Sequence, residues 1–412
     1  MKKYSPLLWK MDNVQTEQSI IGTRRTGEWV RISKELKQYL DNFLELKTRQ
    51  AAYIEQIDSM ERSALIKLIN TMELHGFVVD TDNAVSEGFV FTFETTRKCN
   101  LACRHCSMNA VGLRENLSEL STQQMKRCLN TMQKLGGTNV VLTGGEPMTR
   151  NDFFELVRYI HFETDMNIRL MTNATLINSD NVQFLKQYIQ SIDISIDGVD
   201  EKSCSLIRGK NVFRKVINAI QLLNEIDYNT KSLSMVETGT TAQYVERFYE
   251  LSKELNCRPM IRKIEFVGRA KQNRDILNVG QSYAVETETE EPDTFIRDLR
   301  GICCGAFDRE LYVNSVGDIY PCALFETCPE YRIGNIFDSD IYEKIAGIHQ
   351  SDMYDAFWNF LERMPEKCRN CSVRFFCHTC PHISDVTSKN RKAFDEICLG
   401  RRHIFEEMVW NR

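Results

Sequence analysis

The chain has 412 residues, and at roughly 150 residues per domain that length suits two to three domains with sizeable buried cores. With 42% hydrophobic and 26% charged residues, 20 Gly and 8 Pro, its composition is globular and excludes a long disordered or collagen-like tract. The net charge of -5, from 52 Lys+Arg against 57 Asp+Glu, argues against a broad phosphate-binding face, so no nucleic-acid partner is expected.

The N-terminus MKKYSPLLWKMDNVQ lacks an apolar core ending in a small-residue cleavage site, and no apolar run approaches the ~18 residues of a membrane span. A cytoplasmic chain with no membrane partner is therefore expected. Residues 1–80 read as a separate unit of short strands and helices. A hairpin is expected around Arg25-Thr26-Gly27, followed by the alternating stretch Trp29-Val30-Arg31-Ile32, helical patterns ending at Gly76, and a short strand Phe77-Val78-Val79.

From Phe89 the rhythm becomes strand then helix. Strand Phe89 to Thr95 precedes helix Ser121 to Leu135, Asn139 to Leu142 precedes Asp152 to His161, and Ile168 to Met171 precedes Ser179 to Tyr188. Strand Ile192 to Ile196 then leads to helix Val212 to Ile226, Leu233 to Val236 to helix Ala242 to Leu255, and the series ends with strand Ile261 to Val267. Six strands alternating with helices predict a parallel α/β sheet or barrel over 89–277. Asn278 to Asp298 is polar and acidic, and 278–300 reads as a bridge. Residues 301–412 read as a small cysteine-rich domain with strands Glu310 to Val313 and Asp318 to Tyr320, too poor in apolar residues for a large core and dependent on metal to fold.

Fifteen cysteines are the unusual number. A disulfide framework belongs to small secreted chains, whereas clustered thiols in a large chain without an export signal more often hold metal. Eleven fall in two groups: Cys99, Cys103 and Cys106, then Cys303, Cys304, Cys322, Cys368, Cys371, Cys377, Cys380 and Cys398. The first is a C-x3-C-x2-C triplet in the loop after the first barrel strand. Three thiolates do not close a tetrahedral zinc site, but they hold three irons of a 4Fe-4S cluster and leave the fourth open. The paired spacing from Cys368 to Cys380, taken alone, reads as zinc. Cys128 and Cys257 read as small buried apolar residues, and Cys204 as part of a loop facing the active end.

The triplet resembles the signature of the radical SAM enzymes, in which S-adenosylmethionine (AdoMet) binds the open iron through its methionine amino and carboxylate groups and is cleaved by one electron to a 5'-deoxyadenosyl radical. Thr143-Gly144-Gly145-Glu146-Pro147 resembles that family's GGE motif, which implies that the Glu146 carboxylate meets the methionine ammonium. Asn173, Ser195 and Asp197 end strands where similar enzymes bind the ribose and methionine portions. Arg208 resembles the arginine that pairs the methionine carboxylate, and His105 stands where the family has an aromatic residue near the adenine. Gly268-Arg269-Ala270 also matches a segment common in such enzymes.

The second cysteine group resembles the SPASM extension of radical SAM enzymes, with Gly317-Asp-Ile-Tyr-Pro-Cys322 matching its turn and strand. That resemblance implies an outer 4Fe-4S cluster on Cys368, Cys371, Cys377 and Cys398 and an inner one on Cys304, Cys322 and Cys380, with Cys303, Cys328 or an open iron as the fourth position. The complement would be three 4Fe-4S clusters and AdoMet. The fold implied is a partial (β/α)6 TIM-like barrel with an N-terminal winged-helix-like α+β domain and a C-terminal SPASM domain. Residues 1–80 resemble elements that capture a leader peptide by adding it as a strand. The implied activity is maturation of a ribosomal precursor peptide by hydrogen abstraction and cross-linking, with flavodoxin or ferredoxin as electron donor. The alternatives are a formylglycine-type protein-oxidising enzyme, a radical enzyme on a nucleotide or small molecule, and a zinc-cysteine scaffold. Which side chain acts as catalytic base is unknown at this stage.

Overall fold

The computed structural model describes residues 2–13, 16–46, 49–80, 88–264, 267–277, 299–377, 380–388 and 391–411. Most of the expected bridge, 278–298, lies outside the described residues. The chain forms two compact units, one of residues 1–87, 285–305 and 355–412, the other of residues 88–284 and 306–354. The first unit contains all of residues 1–80, and residues 301–412 divide between the two units. Among the described residues no helix is long and apolar enough to cross a membrane.

In the first unit the N-terminal part contains β1 (Lys2–Tyr4), β2 (Leu8–Asn13), β3 (Gln18–Thr23), β4 (Trp29–Ser33), α1 (Lys34–Glu45), α2 (Gln50–Gln56), α3 (Ser59–Leu74) and β5 (Val78–Asp80). The expected hairpin is present: β3 and β4 pair antiparallel, and Gly27 supplies the positive φ of 73° in its turn. β2-β3-β4 form one sheet and β1-β5 a second. Side chains alternate across a strand, and this sheet is covered on both faces. Ile21 and Ile32 join Leu40, Phe43, Leu65 and Ile69 of α1 and α3 in one core. Trp9, Met11 and Ile20 enter a second core.

The second, barrel unit begins with β6 (Phe89–Thr96), α4 (Thr122–Lys134), β7 (Gly137–Gly144), α5 (Phe153–Glu163), β8 (Asn167–Thr172), α6 (Val182–Tyr188), β9 (Ser191–Ser195) and α7 (Glu201–Arg208). It continues with α8 (Val212–Glu225), β10 (Lys231–Glu237), α9 (Val245–Glu254), β11 (Arg258–Lys263) and α10 (Arg269–Gln272). The six parallel strands run in sequence order. Their apolar runs, such as Val140-Val141-Leu142, are what a parallel strand buried on both faces requires. α4 starts where expected because Ser121 and Gln124 cap each other's backbone N–H groups. β11 begins earlier than expected and ends at Lys263; residues 265–266 lie outside the described residues.

The sheet then extends beyond the barrel strands. β12 (Glu310–Val313) pairs parallel with β6, and β13 (Asp318–Tyr320) and β14 (Gly334–Asn335) follow antiparallel, giving nine strands, with α11 (Ile341–Ala346) after them. The first part of the expected domain over 301–412 thus shares a sheet with the barrel. The open edge of β6 offers unpaired N–H and C=O groups, and β12 satisfies them. Tyr312 also donates its hydroxyl to the fully buried Glu94, whose other oxygen accepts from Arg97 Nε at 2.9 Å.

The remaining elements, α12 (Asp352–Trp358), α13 (Glu366–Arg369), α14 (Arg374–Cys377), α15 (Pro381–Ser388) and α16 (Arg391–Trp410), close the second core of the first unit. Phe360, Met364, Cys368, Val373, Phe376, Val409 and Trp410 pack with Trp9, Met11 and Ile20. Trp9 stacks on Phe375 at 4.8 Å and meets Phe376 edge-on at 5.5 Å. Gly22 must be glycine here, since a Cβ would stand 2.0 Å from the Trp9 ring. The cysteine-rich end, expected to be poor in apolar residues, supplies most of this core itself and completes it with Trp9, Met11 and Ile20 of the N-terminal sheet.

Candidate active site

The triplet loop leaves β6 at its C-terminal end, the end at which α/β barrels place their chemistry. Its thiols face a cavity of about 500 Å³ lined by Cys99, Cys103, His105 and Cys106 together with residues at the ends of β7 to β11. Each thiol receives N–H groups. Leu101 N lies 3.3 Å and Asn173 Nδ2 3.8 Å from Cys99 Sγ, Ala110 N lies 3.4 Å from Cys106 Sγ, and Arg208 Nη1 lies 3.8 Å from Cys103 Sγ. Donors aimed at sulfur suit thiolate ligands of an iron-sulfur cluster. Burial pushes the Cys99 thiol up to about 11, with Glu146 and the other two thiols adding to it, so a bare thiolate is costly there until a metal offsets its charge. The donor set and the cavity fit a cluster with one open iron.

Gly144 and Gly145 line the cavity, but their close approach is to the chain itself. A Cβ on Gly144 would stand 2.2 Å from Thr96 O, and one on Gly145 2.2 Å from Lys98 O. Gly145 N and Glu146 N donate to those two carbonyls at 2.7 and 2.9 Å, which fastens the end of β7 to the triplet loop. Glu146 is fully buried beside the triplet loop, where it helps raise the Cys99 thiol; its oxygens accept from Thr172 Oγ1 (2.8 Å), Asn173 N (2.8 Å) and Met148 N (3.2 Å). Burial raises its pKa, yet three donors hold it as a strut between β7 and β8. Pro147 is likewise buried and starts a short 3-10 turn outside the cavity lining.

Asp197 also turns away from the cavity. It is fully buried with a φ of 53°, and its Oδ2 accepts from Arg208 Nε and from the His105 ring, each at 2.5 Å, while Oδ1 accepts from Val236 N at 2.6 Å. Burial pushes its carboxyl up, but Arg208 and then His105 outweigh that and hold it well below the usual carboxylate range. Asp197 therefore fixes the two residues that do line the cavity, Arg208 and His105. Asn173 and Ser195 line it as expected; Asn173 also accepts from Thr175 N at 3.0 Å and donates to Asn100 Oδ1 at 2.9 Å.

The segment from 199 to 207, expected as a loop, is mostly helix α7, started by a reciprocal cap between Asp200 and Ser203. Cys204 is buried on that helix and directs its Sγ to Ile196 O at 3.0 Å. Cys128 and Cys257 are buried, as expected.

The Gly268-Arg269-Ala270 segment, singled out in the sequence by resemblance, braces the triplet loop. Arg269 Nε donates to Cys103 O at 2.9 Å, its Nη1 to Ala110 O, and its backbone N to Cys106 O at 2.9 Å. Gly268, with φ 56°, lets this pass, since a Cβ would stand 2.4 Å from Cys106 O. The Gly268-Arg269-Ala270 segment thus clamps the triplet loop. Asp193, which also lines the cavity and accepts from Ser232 Oγ, was hidden within an ordinary strand pattern.

Of the C-terminal cysteines, Cys368, Cys371, Cys377 and Cys398 lie near one another in the first unit. Burial raises the pKa of Cys368 to about 11, with Cys398, Cys377 and Cys371 each adding to the shift, and Cys377 is raised in the same way. Lys367, Arg401 and Arg402 stand close enough to these thiols to favour their thiolates. Cys304 and Cys380 belong to the same unit, Cys322 and Cys328 to the barrel unit. Cys303 is exposed, with Sγ 3.5 Å from Arg25 O. None of the fifteen cysteines forms a disulfide.

Comparison with known proteins agrees with this geometry. Residues 93–252 match the family model of the radical SAM superfamily, and residues 303–372 that of the SPASM iron-sulfur cluster-binding domain. The antilisterial bacteriocin subtilosin biosynthesis protein AlbA of Bacillus subtilis (strain 168) is 25% identical over 80% of this chain and 75% of its own. An AdoMet-dependent heme synthase of Oleidesulfovibrio alaskensis is 25% identical over 75% of this chain and 86% of its own. Among solved structures, SuiB of Streptococcus suis bound to precursor peptide SuiA superposes with a TM-score of 0.53 at 16% identity, covering 92% of this chain and 94% of that one, which shows a shared fold. The chain is therefore a radical SAM enzyme with a SPASM domain, binding AdoMet and a 4Fe-4S cluster in its barrel and auxiliary iron-sulfur clusters through its SPASM domain.

Proposed function

We propose that this enzyme matures a ribosomal precursor peptide, installing a thioether or carbon-carbon cross-link. AdoMet on the barrel cluster supplies the radical that abstracts hydrogen. Cys99, Cys103 and Cys106 would hold that cluster, and Arg208, held by Asp197, would pair with the methionine carboxylate, with Ser195 and Asn173 lining the same cavity. Gly144 and Gly145 present backbone to the methionine end, and His105 borders the adenine. By resemblance to the SPASM family, Cys368, Cys371, Cys377 and Cys398 would hold the outer auxiliary cluster, and Cys304, Cys322 and Cys380 would hold the inner one, with Cys303, Cys328 or an open iron as its fourth position. A flavodoxin or ferredoxin supplies electrons, and the cytoplasm is the compartment in which these thiols stay reduced.

The observation that carries the peptide substrate is the edge strand β4. Among the described residues only β3 pairs with it, and a cleft of about 320 Å³ lies along it, lined by Glu28, Trp29, Val30, Thr71, His75, Phe77, Leu299 and Arg300. A strand edge beside a cleft with both apolar and charged lining offers a surface to which an extended peptide adds as a strand. AlbA belongs to the biosynthesis of a bacteriocin, and SuiB has been seen with a precursor peptide. A second reading, a radical enzyme acting on a small molecule, draws on the heme synthase relative.

The test is mass spectrometry of short peptides encoded beside the gene, a cysteine-bearing one first where it is found, incubated with reduced, cluster-loaded enzyme and AdoMet. The proposal expects loss of two hydrogens from such a peptide. It also expects Thr71→Arg, which fills the cleft from an exposed helix position, to abolish most of this modification while clusters and AdoMet affinity persist. An unmodified peptide with undiminished AdoMet cleavage in its absence favours the small-molecule reading.

A further inference from the structure

The barrel cavity is lined by a cation that the site described above does not use. Arg262 stands near the end of β11, where parallel register places it beside Val236 of β10. Both residues line the cavity, so the Arg262 side chain lies on the inner face of the barrel. Its Nε is buried, and among the described residues nothing accepts a hydrogen bond from it and no carboxylate pairs with the guanidinium.

The neighbouring cations are all occupied. Arg208 is paired with Asp197 at 2.5 Å, Arg269 donates to the Cys103 and Ala110 carbonyls, and Lys263, next in sequence, is paired with Glu237. A buried guanidinium N–H without an acceptor is unfavourable, and a site keeps one only where something else completes it.

We propose that Arg262 receives a carboxylate of the peptide substrate, an Asp or Glu side chain close to the residue being modified, and so selects an acidic core segment. This rests on the peptide-maturase reading. AdoMet carries one carboxylate, and Arg208, 3.8 Å from Cys103 Sγ, already stands where its methionine end reaches the cluster. A second cavity arginine calls for a second anion. In a peptide the available anions are carboxylates, and a guanidinium fork matches a carboxylate with two parallel hydrogen bonds.

The test uses cluster-loaded wild-type enzyme, Arg262→Gln and Arg262→Lys. The probes are the peptide encoded beside the gene and versions of it in which each Asp, each Glu and the C-terminal carboxylate is replaced in turn by its amide. Arg262→Gln should raise KM for the parent peptide by about ten- to a hundredfold, as expected for loss of a charge-assisted pair. Arg262→Lys should recover part of that. Iron content and AdoMet affinity should not change in either variant. One side-chain amide should impose the same penalty on wild type and none further on Arg262→Gln.

The inference is overturned if Arg262→Gln weakens AdoMet binding by that factor, if KM for the parent peptide is unchanged, if every amide adds its penalty independently of Arg262, or if only the C-terminal amide shows the coupling. Wild-type enzyme that modifies the peptide while Arg262→Gln does so at an unchanged KM removes Arg262 alone. Wild-type enzyme that neither binds nor modifies the peptide removes the maturase reading, and this inference with it.

Discussion

The triplet loop and the C-terminal cysteine region both gather thiols, but the chain holds them in place by different means. Around Cys99, Cys103 and Cys106 the support is polar and local to the barrel unit: backbone bonds from the β7 turn, the Arg269 clamp, and the Asp197 pair with Arg208 and His105. Around Cys368, Cys371, Cys377 and Cys398 the support is apolar: Phe360, Met364, Val373, Phe376, Val409 and Trp410 pack with Trp9, Met11 and Ile20 from the far end of the sequence. Hydrogen bonds position a loop within tenths of an ångström, whereas burial is not directional and holds a region mainly by excluding water. A site that must place AdoMet against one iron needs the first kind of support. A cluster with four protein ligands tolerates the second.

The largest effect that tests this contrast is removal of the barrel ligands. Replacing Cys99, Cys103 and Cys106 with Ala should abolish all AdoMet cleavage and about a third of the iron, if three 4Fe-4S clusters are present. The auxiliary clusters should survive; their loss too would mean that the two regions are not independently supported.

Next comes the apolar region. Trp9→Ala empties the centre of the second core, and large aromatic deletions of this kind cost about 3–5 kcal/mol. The expected outcome is loss of C-terminal iron with the barrel cluster and its AdoMet affinity retained, read by iron analysis of the variant. Deletion of residues 1–80 should do the same, so such a truncation does not isolate peptide binding. Thr71→Arg, which leaves the Trp9 face intact, is the cleaner variant.

The smallest effect belongs to the clamp. Arg269→Met removes two charge-assisted bonds to loop carbonyls, worth roughly 1.5–3 kcal/mol each before solvent competition. The barrel cluster should then be stripped faster by a chelator, while the remaining iron is lost at the wild-type rate. Equal acceleration at all clusters would show that the clamp is not specific to the triplet.

Much of this was legible in the sequence. Six βα repeats marked the barrel because a strand buried on both faces must be apolar, and a C-x3-C-x2-C run can serve an open iron through spacing alone. Resemblance to the radical SAM family pointed to Arg208, His105, Asn173 and Ser195, all of which line the cavity. What the sequence left open was direction. Nothing in Gly-Gly-Glu-Pro shows that Glu146 points into the protein or that Asp197 spends its charge on Arg208 and His105; that depends on which donors the neighbouring strands bring within 3 Å.

Motif spacing, strand rhythm and the thiol inventory were thus determined locally, because each depends on residues near one another in the chain. The pairing of β12 with β6, the burial of Trp9 among residues 360–410, the Arg269 clamp and the unmet Arg262 were decided only by the tertiary structure. Each joins or separates groups distant in sequence, and a hydrogen bond or an apolar contact between such groups is fixed by the folded path and not by the spacing of letters.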